Sequence, residues 1–478
     1  MSSIINRDKV LASFYKFNND GASGVGKIRQ ISGTSTGGVG DADTAPNIDL
    51  STSDPVAFYF DGPAHTLRVM VVERVYDESF VQQPCFITVY DPSNWSVKVS
   101  RRPYDYPNGG GQLLNVYSAL SSISDMNDSY IYGADYSQGR IFYMDYKKSG
   151  STESLTISNY YQFVPTSKAK VYSVDATIAA DGADNYIYAV AQQYTTSGSG
   201  YDPGDYDYGP SLLVKLTFPE LKQMAITEVA ANAFSLQPGG FNSTDLYVTS
   251  IGGAQWYGDG SGGIKWNEGS RIQKVSVSNL AVKDLVRPAN ADEASDYPDD
   301  CFDIRAVAFC DDNNKTVFIL TGSYAADYKL TGYLWKTTKA VLDAANGTLI
   351  TALSSKPTQA AAIYGKGALW VVLPGADGTA WATAGEASGN TLGIYGSKLV
   401  GAAKDATTLS GLPYDPVSDH YAPSFSQLSV VRTEATTRGA AAPAGVASAR
   451  GYVHPIMACG AGLDPKVRAK FIKAHFGK

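Results

Sequence analysis

"DSYIYGADYSQGRIFYMDY", Asp128 to Tyr146, decides how this chain folds. A polar turn leads into Tyr-Ile-Tyr, an Asp/Ser/Gln/Gly connector follows, and a second apolar run closes the unit. Aromatic and β-branched runs punctuated by Gly and Asp read as paired strands of a hairpin. The theme returns as "DNYIYAVAQQY" (184–194) then "SLLVKLTF" (211–218), and as "HTLRVMVVERV" then "CFITVYD". It returns again as "TDLYVTSIGG" then "RIQKVSV", as "KTVFILTGSY" then "GYLWKTT", and as "GALWVVLPG" then "TLGIYGSKLV". The central strands begin near 66, 130, 186, 246, 317 and 369, a period of roughly 50–70 residues. An apolar run precedes each: "VAFYF" (56–60), "LLNVYSAL" (113–120), "KVYSVDATI" (170–178), "NAFSLQPGG", "IRAVAF" (304–309) and "AAAIYG" (360–365). A short run such as "WSVKVS" or "ESLTIS" ends the unit.

Four strands per unit, repeated, is the pattern of propeller blades, because a lone four-stranded sheet buries neither face while radial stacking buries both. The chain resembles the β-propeller repeat proteins, and "YIYGADYSQGRIFYMDY" is similar to the hairpin of YVTN-type repeats. The resemblance spans roughly residues 50–405 and implies a fold, with no activity attached. The expectation is an all-β chain: a single β-propeller over residues 1–433 with seven (or six) four-stranded blades, closed by N- and C-terminal strands. The blade-like units lie near 50–100, 112–158, 170–228, 233–287, 303–352 and 358–408. "VLASFYKF" (10–17), "GKIRQIS" (26–32) and "FSQLSVVRT" (425–433) supply the closing strands, with "YVHPIM" (452–457) a further strand candidate. Residues 434–450, "EATTRGAAAPAGVASAR", read as a flexible Ala/Gly linker. Residues 451–478 end in "DPKVRAKFIKAHFGK", a short basic helix with an Asp-Pro start. "KAVLDAANG" (339–347) is the other helical signal.

Composition narrows the partners. Net charge is −7 and the first 430 residues hold no long Lys/Arg cluster, so the track that nucleic acid requires is missing. No apolar run approaches the length of a membrane span. Met1-Ser-Ser-Ile-Ile lacks the basic start and apolar core of a signal peptide. Abundant Tyr, Ser, Gly and Asn with low charge point to an extracytoplasmic or cell-surface setting with a replaced leader; the cytoplasm is the alternative. Cys85, Cys301, Cys310 and Cys459 lack zinc spacing, and Cys301 with Cys310 reads equally as a local disulfide or as two thiols. His65, His420, His454 and His475 are scattered, and neither a GxSxG nor a Walker loop occurs.

Long acidic, aromatic connectors stand out: 101–111, 194–210, 252–270, 287–301, 322–332, 374–390 and 411–423. With the strands labelled from the inside outward, all of these leave from one end, while short turns such as 60–65 and 179–184 leave from the other. Long connectors cost closure entropy and persist where they serve recognition. The candidate binding residues are therefore Tyr104, Asp105, Tyr106, Tyr206, Tyr208, Trp256, Tyr257, Asp259, Trp266, Glu268 and Asp300. Their rings suit sugar faces or a protein partner. Tyr130, Tyr132, Tyr186 and Tyr188 sit within strands and read as packing. Asp202, Asp205 and Asp207 are close enough to share a structural calcium ion, the alternative being a solvated acidic loop; no other cofactor is expected.

These signals favour a non-enzymatic propeller that binds a protein or glycan ligand through its loop-rich face. One rival is a polysaccharide hydrolase or lyase using rim carboxylates from Asp105, Asp207, Asp259, Glu268, Asp300 and Asp303. Another is a structural surface or adhesion component.

Overall fold

Apolar runs without alternation, such as "YIYAVA", require burial on both faces of a strand. The computed structural model describes residues 4–17, 24–31, 48–50, 53–63, 66–75, 82–123, 128–196, 206–239, 243–252, 255–257, 264–266, 270–287, 303–309, 316–324, 330–345, 361–362, 369–374, 380–386, 389–395, 405–409, 424–433 and 446–450. Six four-stranded antiparallel sheets follow one another along the chain. Sheet one is Ser53–Gly62, Thr66–Val75, Phe86–Tyr90 and Val97–Arg102. Sheet two is Val116–Ile123, Asp128–Asp135, Arg140–Ser149 and Thr152–Gln162. Sheet three is Lys170–Asp181, Asp184–Thr196, Tyr206–Thr217 and Gln223–Val229. Sheet four is Ala233–Pro238, Asp245–Ser250, Arg271–Ser276 and Val282–Val286. Sheet five is Asp303–Phe309, Thr316–Tyr324, Leu330–Thr338 and Ala361–Ala362. Sheet six is Leu369–Pro374, Ala380–Glu386, Gly389–Tyr395 and Asp405–Leu409. A terminal sheet joins the two ends of the chain in the order Ile48–Leu50, Gly24–Ile31, Ile4–Phe17, Ser424–Thr433, Val446–Arg450.

Sheet three shows why the central strands lack alternation. Successive side chains point to opposite faces. Ile187, Ala189 and Ala191 pack with Tyr132 and Ile141 of sheet two, while Tyr188 and Val190 pack with Leu236 and Val248 of sheet four. Both faces are covered, so both carry apolar residues. The outermost strand, Gln223–Val229, has one open side and leaves Met224, Ile226 and Glu228 exposed. Tyr247, Ile272, Ile304 and Trp335 continue the core between sheets four and five. Leu11, Ile28, Phe58, Ile87 and Met144 join the terminal sheet to sheets one and two.

The first strands of successive sheets touch one another, from Ser53–Gly62 through Leu369–Pro374, and Ser424–Thr433 touches both of those. Sheets that meet along their first strands and stack face to face have the architecture of a β-propeller. The first strands of sheets two to six share a further device. Each carries a register shift near its start, passing over Tyr117, Val174, Phe234, Arg305 and Trp370 in turn. A bulge sharpens strand twist, which suits strands crowded at the inner edge.

Two sequence expectations need correction. "AAAIYG" does not open the last unit: Ala361–Ala362 is the fourth strand of sheet five, with Ala362 opposite Tyr333. Leu369–Pro374 opens sheet six instead, paired with Ala380–Glu386, so most of the expected long connector 374–390 is strand. The linker expected at 434–450 also contains a strand, since Val446–Arg450 pairs with Ser424–Thr433. Small side chains leave the backbone free to complete a ladder. The helix expected at 339–347 is Lys339–Ala344, capped by the Thr338 hydroxyl, which accepts from the Val341 N–H. "YVHPIM", the basic C-terminal segment, Cys301, Cys310, Cys459 and all four histidines lie outside the described residues.

Candidate functional site

Antiparallel strands send first-to-second and third-to-fourth connectors from one end of a sheet, and second-to-third connectors from the other. The chain crosses to the next sheet at that second end. Side chains tie the sheets together consistently with this sorting. At the short-turn end, Arg68 of sheet one reaches Glu153, at the start of the fourth strand of sheet two, at 2.6 Å, and Asp91 of its own third-to-fourth turn at 3.6 Å. The Tyr146 hydroxyl donates to the same Glu153 carboxylate.

Amides dominate the other end. Gln82, beyond the second strand of sheet one, accepts from the Ser137 hydroxyl and the Asn115 side chain of sheet two. The Thr166 N–H donates to Gln193 Oε1 at 2.7 Å, tying the crossing from sheet two to sheet three. Gln192 Nε2 donates to Asn232 Oδ1 at 2.9 Å and so reaches sheet four. The Ile251 N–H donates to the Asn232 carbonyl at 3.0 Å, as the Tyr136 N–H does to the Asn115 carbonyl at 2.8 Å. The Ile304 N–H of sheet five donates to Ser270 Oγ at 3.2 Å. Five sheets thus share one braced end, from which 76–85, 103–115, 197–205, 251–270 and 287–302 emerge. Sequence reasoning missed these amides. Their one signal is position: Asn115 and Asn232 each immediately precede a first strand.

Asp135 anchors the connector between sheets one and two. It is fully buried and accepts from the Tyr106 hydroxyl (2.9 Å), the N–H groups of Leu114 and Asn115 (3.1 Å each) and Gln138 Nε2 (3.2 Å). Burial holds its carboxyl above the ordinary range, outweighing the four hydrogen bonds that favour the anion. The Arg140 guanidinium lies over the Tyr106 and Tyr160 rings and donates to the Gly110 carbonyl at 2.6 Å.

The candidate rings at 104 and 106 are therefore core. Tyr104 and Tyr106 are buried, and Asp105 between them is exposed in an isolated bridge to Gln112. The same holds for the second Tyr-Asp-Tyr. Tyr206 and Tyr208 are buried against Tyr194, which stacks on Tyr172 at 4.4 Å; Tyr136 adjoins Tyr172 at 4.9 Å. Asp207 faces outward and pairs with Lys168. Both motifs alternate like a strand, aromatic inward and carboxylate outward. None of these four tyrosines offers the exposed face that the sequence suggested.

Trp256, Tyr257 and Trp266 fall in a two-stranded ribbon, Gln255–Tyr257 with Ile264–Trp266, inserted between the second and third strands of sheet four. Trp256 is opposite Lys265 and Trp266 opposite Gln255, so the two tryptophan positions occupy opposite faces of the ribbon. Asp259, Glu268, Asp300, Asp202 and Asp205 lie outside the described residues. Among the described residues no cluster of three His, Cys, Asp or Glu side chains could hold a metal, and no helix is long and apolar enough to cross a membrane. The described end offers a stiff base under acidic connectors; its one fully buried carboxylate, Asp135, is committed to holding a connector.

No protein-family model and no curated protein matches the chain. Solved structures do. The propeller domain of Cps50 (Swd1) from Myceliophteria thermophila is 11% identical with a TM-score of 0.40, covering 80% of this chain and 95% of that one. The Dos1 propeller is 8% identical with a TM-score of 0.40, covering 92% and 95%. An acylaminoacyl peptidase of Pyrococcus horikoshii is 8% identical with a TM-score of 0.36; the match covers 79% of this chain and half of the peptidase.

Proposed function

We propose that this chain is a non-enzymatic, extracytoplasmic seven-bladed propeller, closed by its terminal strands, that binds a protein or glycan at its amide-braced end. One observation carries the reading: buried and half-buried side-chain and backbone hydrogen bonds linking five successive sheets fix the roots of the long connectors. A rigid scaffold presenting variable connectors is how β folds commonly build recognition surfaces. The blade count draws on six in-chain sheets plus the terminal sheet, whose Ser424–Thr433 strand touches sheets one and six. The ribbon at 255–266 contributes aromatic positions on both faces, so one ligand can meet either.

The test is a glycan array with a parallel protein pull-down, comparing wild type with Trp256→Ala/Trp266→Ala. The expected result is a specific ligand whose binding the double variant loses, with a melting temperature close to wild type. Unchanged binding, a collapse in melting temperature, or polysaccharide cleavage by the wild type would each sink the reading.

A further inference from the structure

We propose that sheets two and three form, between their short-turn ends, a separate site that takes the ammonium group of a small alkylamine. The site begins in strand register. In sheet two, Tyr132 is opposite Tyr143 and Tyr130 is opposite Asp145, and opposite residues share a face. That face meets sheet three: Tyr132 is buried with Ile187 and Leu216, while Tyr130, Tyr143 and Phe218 pack half-buried against the same core. The four rings close a cycle. Centroids of Tyr130 and Tyr143 are 5.8 Å apart, Tyr143 and Tyr132 5.8 Å, Tyr132 and Phe218 5.5 Å, and Phe218 and Tyr130 6.3 Å. Phe218 comes from the connector between the third and fourth strands of sheet three, which Asn159 Nδ2 pins to sheet two by donating to the Glu220 carbonyl at 2.7 Å. The Tyr161 hydroxyl adds a second tie, donating to Gln223 Oε1 at 2.7 Å.

The chemistry of this cycle asks for a cation with hydrogens to donate. Aromatic faces attract positive charge, and elsewhere the protein supplies its own: Arg101 over Phe86, Arg140 over Tyr106 and Tyr160, Lys215 over Tyr186, and Lys339 over Tyr247. Among the described residues no Lys or Arg lies over Tyr130, Tyr132, Tyr143 or Phe218. The Tyr132 hydroxyl is fully buried and meets no hydrogen-bond partner among the described residues. A buried polar group left unpaired is costly, and a ligand that pairs it recovers that cost. Negative charge gathers on the same side. Burial, and then neighbouring groups that include Asp145 and Glu220, raise the Tyr132 and Tyr143 hydroxyls above their ordinary value. Asp145 accepts from Ser158 Oγ at 2.5 Å and lies 4.0 Å from the ammonium of Lys147; Glu220 is exposed. An alkylammonium brings charge for the rings and carboxylates, N–H donors for the hydroxyl, and a methylene chain for the half-buried edge. The site lies at the end opposite the braced connectors, so it stands or falls apart from the binding reading above.

Titration of the full-length protein with n-butylammonium chloride, followed by saturation-transfer NMR, tests the site. Saturable binding is expected. The uncharged chain of n-butanol should bind roughly tenfold more weakly, and tetramethylammonium, which has no N–H to donate, should also be weaker. Tyr132→Phe removes only the hydroxyl. Because that hydroxyl is unpaired in the free protein, the variant should melt at or above the wild-type temperature while binding butylammonium roughly tenfold more weakly. Asp145→Asn/Glu220→Gln should weaken binding by a similar factor, about tenfold, with its circular dichroism unchanged. The inference is overturned by the absence of saturable binding, or by n-butanol or tetramethylammonium binding as tightly as butylammonium. Wild-type affinity in either variant, or a lower melting temperature for Tyr132→Phe, overturns it too.

Discussion

Asp135 receives four donors in a site with no water-exposed surface, and each would lose its acceptor together. Unmade buried hydrogen bonds cost more than made ones contribute, so Asp135→Ala should destabilise by about 3 kcal/mol in urea titration. Because folding raises this carboxyl above its ordinary value, the folded state holds the proton more tightly than the unfolded one. Its contribution is greatest below the ordinary carboxylate value of about 3.9 and declines as pH rises toward the raised value. The stability of wild type relative to Asp135→Asn should therefore fall over that interval; a gap that widens with pH would refute the assignment. Gly133 illustrates a different constraint. It pairs with Phe142 across the hairpin, and a Cβ there would sit 2.3 Å from Phe142 Cζ. Gly133→Ala should cost roughly 1–3 kcal/mol, whereas overpacking relieved by Phe142→Ala in the double variant would leave less than the sum of the two changes.

At the scale of an element, the two Tyr-Asp-Tyr motifs make a matched test. Tyr194 is the centre of the cluster formed with Tyr172, Tyr206 and Tyr208, so Tyr194→Ala should lower stability by about 3–5 kcal/mol. Asp207 is largely exposed, and Asp207→Ala should shift stability by less than about 1 kcal/mol despite its ion pair with Lys168. The reverse order in thermal melts would show that the rings face solvent. The alternation was legible in the letters, since aromatic, carboxylate, aromatic is a period of two; proline and glycine nearby made turn chemistry the stronger signal. The hairpins were legible because stacked sheets demand apolar residues on both faces, as at Ile187 and Tyr188. The brace was not, because Gln192 and Asn232 carry no pattern of their own and acquire partners only when distant connectors meet. The sixth sheet slipped for a related reason: "AAAIYG" and "GALWVVL" are both apolar, and only pairing with Trp381 and Thr383 reveals which run opens it.

Across the whole molecule, the terminal sheet links the two ends of the chain. Val10 to Ser13 pair with Gln427 to Val430, so the six four-stranded sheets lie in sequence between these paired strands. Non-local pairing of this kind is slow to form and is reached late, after the local hairpins. Ala12 and Leu428 are opposite one another in that ladder. An Ala12→Cys/Leu428→Cys variant, oxidised, would fix the closure covalently and remove chain entropy from the unfolded state. Loop-closure arithmetic puts the gain at about 6 kcal/mol for a loop this long, with strain subtracting from it. Calorimetry should show a higher melting temperature for the oxidised form than for the same protein under reductant. A pair that does not oxidise would place the termini apart, and the radial arrangement would then lack its closing sheet.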